Sequence, residues 1–255
     1  MERIAVVTLT RRRPHLLRRA ISSVAAQVCS VPSLHFVAID DCPPTAAMLE
    51  SCSDLPRNFD FALLPREPLD RSGPARSAIL RNACVRRLAV DWISFLDDDN
   101  EIEPDHLESL WRCAHATGCR AVHSWLHMFH SDGRPFLDEM DPWTRDPEAA
   151  REKFRRMVTL GVRSPGSNLF RDRADPKGAE NPVRTVDTSA WLLRRDLLLE
   201  APVPEQYSDS DWETMTTEDD KLLAQLIERG EPTACSRRAT LRYYLGGYSN
   251  TGRLL

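Results

Sequence analysis

The chain has 255 residues, 42% hydrophobic and 28% charged, with a net charge of −4 at pH 7. That composition fits a globular protein with room for one substantial domain. The negative balance supplies no global basic field, which argues against nucleic acid or an anionic membrane surface as a partner.

The 34 basic residues include only three lysines, Lys153, Lys177 and Lys221. The arginine excess reads as GC-rich coding, although arginine also suits phosphate. Seven cysteines are scattered without a CxxC pair and read as reduced thiols, neither a zinc site nor a disulfide framework. No apolar run reaches the length of a membrane span. Met1 leads directly into a strand-like run without a signal-peptide pattern, so a cytoplasmic protein is expected.

In chain order, Ile4 to Leu9 is rich in β-branched residues and reads as a strand buried on both faces. Pro14 stands at the start of a helix that runs to about Gln27, with Leu16, Leu17, Ala20, Ile21 and Val24 on one face. His35 to Ile39 reads as a second strand ending in Asp40 and Asp41. A Pro-rich stretch leads to a third short strand at Phe61 to Leu64. Gly73 to Leu88 is a loop entering a helix. Trp92 to Leu96 is a short buried strand. This alternation predicts a doubly wound, mainly parallel α/β sheet flanked by helices.

Further helices are expected over Pro104 to Ala116, Glu148 to Leu160 and Glu218 to Arg229, the last with Gly230 as its cap. Strands are expected over Arg120 to His130 and Arg237 to Tyr244. His123 and His127 would share one face of a helix, but in a strand they lie about 13 Å apart, too far for one metal ion. Arg163 to Arg184 has no period and reads as a long flexible loop, a candidate lid.

The stretch that organises the rest is Asp97-Asp98-Asp99, directly after the Trp92 to Leu96 strand. Three adjacent anions are costly to bury without partners. They point to an open cleft at the strand's carboxyl end, where α/β sheets bind ligands, with a hard divalent cation among the charges. A solvated acidic turn is the competing reading.

Together these pieces resemble the family-2 nucleotide-sugar glycosyltransferases of the GT-A fold. The likeness rests on Val7 to Gln27 as first strand and helix, Asp40-Asp41 as an acidic strand end, and Arg81-Asn82 ahead of the acids. Phe95 to Asp99 matches the metal-binding DxD signature, and Glu218-Asp219 the ED helix. It covers most of the chain, most closely up to about residue 108. It implies a single domain over 1–255, with a nucleotide-sugar half at 1–108 and an acceptor half at 109–255.

The resemblance implies a metal-dependent, inverting transfer of a sugar from a nucleotide diphosphosugar, UDP favoured, to a hydroxyl or amine of a small-molecule or glycan acceptor. Asp97 and Asp99 would hold Mn²⁺ or Mg²⁺, and Asp98 the ribose or sugar hydroxyls. Thr10, Arg13, Asp40 and Arg81 would complete the donor site, with Asp40 reading the base. Asp219 would be the general base beside Glu218, with Asp211 and Glu213 in reserve.

Leu9 to Arg12 and Cys42-Pro43 depart from the family pattern where base and ribose would lie. No histidine follows His130, so carboxylates, phosphate oxygens and water would make up the metal shell. A nucleotidyltransferase and a silent nucleotide-sugar-binding module are the alternatives. The first lacks its usual glycine-rich loop here, and the second needs no base. A homodimer is left open.

Overall fold

The computed structural model describes residues 1–66 and 73–247. Its centre is a nine-stranded mixed sheet. Strand β1 (Ile4–Thr10) is almost wholly buried, as its unbroken apolar run predicts. It pairs in parallel with β2 (Ser33–Asp40) on one side and β4 (Trp92–Asp97) on the other. Beyond β2 lies β3 (Phe59–Leu64), also parallel. The order β3-β2-β1-β4 therefore reverses direction at β1, and such a switch point opens a crevice at the strands' carboxyl ends. Thr10, Asp40 and Asp97 each end one of these strands.

Helix α1 (Pro14–Ala25) joins β1 to β2 and buries Leu17, Ala20, Ile21 and Val24. Helix α2 (Pro43–Glu50) occupies part of the Pro-rich stretch, to which no element was assigned from sequence. Pro43 and Pro44 fall at its start, where a missing N–H costs nothing and a fixed φ favours the helix. Helix α3 (Pro74–Arg87) joins β3 to β4. Its buried Asn82 donates to the Val203 carbonyl at 2.8 Å and accepts the Val203 N–H at 3.0 Å, fixing a distant segment against the helix.

The second half completes the sheet with strands of both directions. After β5 (Glu101–Ile102) and α4 (His106–Thr117), β6 (Ala121–Phe129) runs as a strand. His123 packs edge-on against Trp191 with centroids 5.2 Å apart, and His127 meets Asn168 at 3.2 Å, so they do not converge on one ion. Helix α5 (Pro147–Thr159) follows.

The segment 163–184, expected to be an aperiodic flexible loop, carries β7 (Leu169–Phe170), paired with β6, and β8 (Arg173–Ala174), which pairs with β9 (Arg184–Thr185). Asp175 accepts from Arg173 at 2.7 Å and from the Val183 N–H at 2.9 Å. Local polar bonds of this kind order a segment without leaving any hydrophobic period to read.

A 3₁₀ turn (Thr188–Ala190) leads into β10 (Trp191–Arg194), antiparallel to both β4 and β6. Helices α6 (Arg195–Glu200), α7 (Asp209–Glu213) and α8 (Glu218–Glu228) follow. Gly230 takes φ +66° just past α8, the left-handed conformation glycine allows at a helix end.

The last strand, β11 (Thr233–Tyr244), runs parallel to β6 and is longer than the Arg237 to Tyr244 expected. Its pairing is irregular between Cys235 and Ala239, with Arg237 at φ +56°. That bulge breaks the alternation and hides the strand's first part in the sequence. Among the described residues, no helix is long and apolar enough to cross a membrane.

Burial shapes the pH response. His35 bonds Thr8 at 3.0 Å, His106 bonds Thr240 at 2.7 Å, and burial pushes both imidazoles down to about 3. In the unfolded chain they would take a proton near 6.5. Their neutral packing is thus fully stabilising above that value, and the contribution is lost as pH falls from about 6.5 towards 3. We expect His35→Gln to flatten the fall in unfolding free energy between pH 6 and 4 by about 1.4 kcal/mol per pH unit, read by urea denaturation. An unchanged slope would show that His35 does not resist protonation.

Candidate active site

Strand β4 delivers Asp97, Asp98 and Asp99 at the switch point, but the three carboxylates go separate ways. Asp98 is fully buried. It accepts from the Thr10 hydroxyl at 2.6 Å and pairs with Arg13 at 2.5 Å. Burial pushes its carboxyl up to about 7, with Arg13 pulling the other way. Asp98 and Thr10 therefore face each other inside the fold, and Asp98 offers no surface to ribose or sugar hydroxyls in this arrangement.

Asp99 pairs with Arg13 at 2.8 Å, and its backbone carbonyl accepts from Arg19 at 2.5 Å. The end of β11 and the residues just after it cross close by. Tyr244 N–H donates to Asn100 at 3.0 Å and Leu245 N–H to the Phe129 carbonyl at 2.8 Å. At Gly247 an added Cβ would lie 2.8 Å from Asp99 Oδ2, so a side chain there would require Asp99 to shift.

Asp97 is the most open of the three, with its side chain 35% exposed. Its Oδ1 pairs at 2.9 Å with Arg81, whose guanidinium is buried and also grips Glu218 Oε1. Arg81 thus ties the end of β4 to the start of α8, two elements far apart in sequence. The opposing carboxylates push its guanidinium further up.

The acids at the start of α8 divide their roles. Asp220 completes a capping box with Thr217, which satisfies orphan N–H groups of the first turn. Glu218 faces Arg81. Asp219 Oδ1 accepts from the Thr188 hydroxyl. Burial raises Asp219 well above its ordinary range, and the charges of Glu218 and Asp187 add to the shift. Asp211 instead caps α7 and pairs with Lys221 at 2.8 Å, which holds it down to about 2. Strongly paired and acidic, it makes a poor proton acceptor at neutral pH.

Asp187 and Asp172 belong to the same acidic end and escaped the sequence reading. Asp187 is raised by burial and then by Asp97 and Asp172. Asp172 is buried and raised by burial. A signal was present, since Asp187-Thr188-Ser189 has the form of a helix-capping start, but nothing in the sequence tied it to Asp97.

At the end of β2, Asp40 is buried and meets Arg66 at 3.0 Å and Arg76 at 2.9 Å. Neither arginine was singled out from sequence. Arg12 and Asp41, just past the ends of β1 and β2, take φ +56° and +43°. These conformations are unfavourable for side-chain-bearing residues and cluster where a ligand site sits. Arg237, Arg238 and Arg242 lie away from this cluster. Arg238 pairs with Asp105, and Arg242 with Glu101 and Glu103 at 3.3 Å each.

Among the described residues, no group of three or more His, Cys, Asp or Glu side chains is gathered for a metal ion. What the structure offers is hard oxygen chemistry. Asp97 and Asp99 each have one oxygen on an arginine, amid the crowded carboxylates of Asp187 and Asp219. That donor set fits Mg²⁺ or Mn²⁺, which are commonly held by one or two carboxylates with substrate phosphates and water.

A family model described as "Glycosyl transferase family 2" matches residues 5–178. The chain belongs to glycosyl transferase family 2. The sheet is GT-A-like, as the resemblance of the first strands and acids implied. A succinoglycan biosynthesis protein, ExoW of Rhizobium meliloti (strain 1021), is 31% identical over 102 residues, 40% of this chain and 30% of ExoW.

The crystal structure of S. aureus TarS 1-349 in complex with UDP-GlcNAc is similar over 100% of this chain and 62% of that one, with 14% identity and a TM-score of 0.60. The corresponding complex with UDP gives 15% identity over 98% of this chain and 62% of that one, with a TM-score of 0.57. At such identity the likeness is one of fold. The chain spans less than two thirds of the length of these relatives.

The Arg81 bridge yields a direct expectation. Arg81→Leu leaves Asp97 and Glu218 facing each other without their cation, and should destabilise the fold by about 3–5 kcal/mol in denaturant unfolding. A loss below about 1 kcal/mol would mean that the bridge contributes little.

Proposed function

We propose that this protein transfers a sugar from a nucleoside diphosphosugar to a hydroxyl or amine of a small-molecule or glycan acceptor, with inversion and with Mg²⁺ or Mn²⁺. The observation that carries the reading is the convergence of Asp97 and Asp219 at the sheet's switch point. A strand-end carboxylate suited to the phosphate side and a raised carboxylate suited to take a proton meet there through Arg81, Glu218 and Thr188.

UDP is the favoured carrier, supported by the TarS fold that holds UDP-GlcNAc and UDP. A glycan acceptor is supported by the succinoglycan relative.

In this reading Asp40, paired with Arg66 and Arg76, accepts an N–H from the base. Arg13 sits beside Asp99, where it can neutralise diphosphate oxygens. Asp97 and Asp99 would hold the cation, whose charge would stabilise the departing diphosphate. Asp219 takes the acceptor proton as its oxygen attacks the anomeric carbon. A single displacement inverts that carbon. Thr10 and Asp98 support the strand ends from inside.

Thermal unfolding with a panel of nucleoside diphosphates and Mn²⁺, Mg²⁺ or EDTA tests this. A ligand of the folded state raises Tm. We expect one nucleotide, UDP, to raise it only with metal, and Asp99→Ala to abolish the rise. Asp219→Asn should keep the rise while lowering turnover roughly 10²- to 10⁴-fold. No shift with any nucleotide would remove the nucleotide-sugar reading.

A further inference from the structure

The turn before β10 does more than start a strand. Asp187 caps it, its side chain accepting the Ser189 N–H at 2.8 Å. Ser189 and Thr188 then face two different parts of the candidate site. The Ser189 hydroxyl accepts the backbone N–H of Asp97 at 3.1 Å, and the Thr188 hydroxyl donates to Asp219 Oδ1. Both residues are buried. One turn therefore holds the carboxyl end of β4 and the start of α8 in mutual register, independently of the Arg81 bridge.

A hydroxyl has one proton to give. Thr188 gives its proton to one oxygen of Asp219, which fixes the plane of that carboxylate and leaves Oδ2 as the oxygen free to receive an acceptor proton. We infer that Thr188 is a positioning residue for sugar transfer, orienting Asp219 so that a defined oxygen meets the acceptor. The inference rests on the proposed role of Asp219 as base. It extends that role to a buried residue of the turn before β10. A carboxylate turning about its own bond displaces the accepting oxygen by an ångström or more, and misplacement on that scale costs up to about 10²-fold in rate.

The variants Thr188→Val, which keeps the shape without the hydroxyl, and Thr188→Ser, which keeps the hydroxyl, separate orientation from packing. Nucleotide release from UDP-sugars with water as acceptor gives kcat and the donor KM without a known acceptor. We expect Thr188→Val to lower kcat roughly 10- to 100-fold with the donor KM within about two-fold, and Thr188→Ser to recover most of it.

In an Asp219→Asn background, Thr188→Val should add nothing, since two residues acting through one step are not additive. Equal loss in the serine and valine variants would assign Thr188 to packing and overturn the inference. So would a further loss on top of Asp219→Asn. Loss in Asp219→Asn with full activity in Thr188→Val would leave the base standing and remove the positioning role. Full activity in Asp219→Asn would remove the base reading, and no release from any UDP-sugar would remove the transfer itself; in either case the inference goes too.

Discussion

The architecture of the site depends on an electrostatic constraint: too many carboxylates meet at one end of the sheet for too few cations. Asp97, Asp99, Asp187, Glu218 and Asp219 belong to this end, and the buried guanidinium of Arg81 spans two of them. Like charges this close in a poorly solvated setting repel strongly unless something intervenes. Arg81 intervenes between Asp97 and Glu218, and Arg13 between Asp98 and Asp99. Burial and neighbouring anions push Asp187 and Asp219 well above their ordinary range, against a pull from Arg81 on Asp219.

The fold supplies the rigidity that this arrangement needs. Asp97 leaves a strand buried between β1 and β10, and Asp219 opens a helix fixed by a capping box. Holding repelling groups together is unfavourable locally, and the packing around them must offset it. The apolar strands Ile4 to Val7 and Ile93 to Leu96 are fully buried and supply such packing directly beneath the acids. The strained backbone at Arg12 and Asp41 rests on the same foundation.

The two halves of the chain meet through polar side chains as well as through the core. Arg81 and Asn82, adjacent on α3, reach Glu218 and the Val203 backbone respectively. The Asp187 to Ser189 turn reaches Asp97 and Asp219. The donor-side acids and the candidate base are therefore positioned by the same few bonds, which couples the geometry of one to the other.

Much of this was legible in the sequence. The unbroken apolar runs at Ile4 to Leu9 and Trp92 to Leu96 specify buried parallel strands, because only burial on both faces tolerates them. The acids at the end of the second run call for charged or polar partners, because three adjacent anions are costly to bury alone. Asp220 was readable as a cap from Thr217 three residues before it.

Other features were decided by tertiary structure alone. Three neighbouring aspartates look alike in sequence, yet Asp98 is buried against Thr10 and Arg13 while Asp97 stays open. Arg66 and Arg76 find Asp40, and Thr188 finds Asp219, across 26 to 36 residues of chain. A hydrophobic pattern records which face of an element is buried, since that depends on local periodicity. Which polar partner a side chain meets depends on how separate elements pack, and no local pattern carries that information.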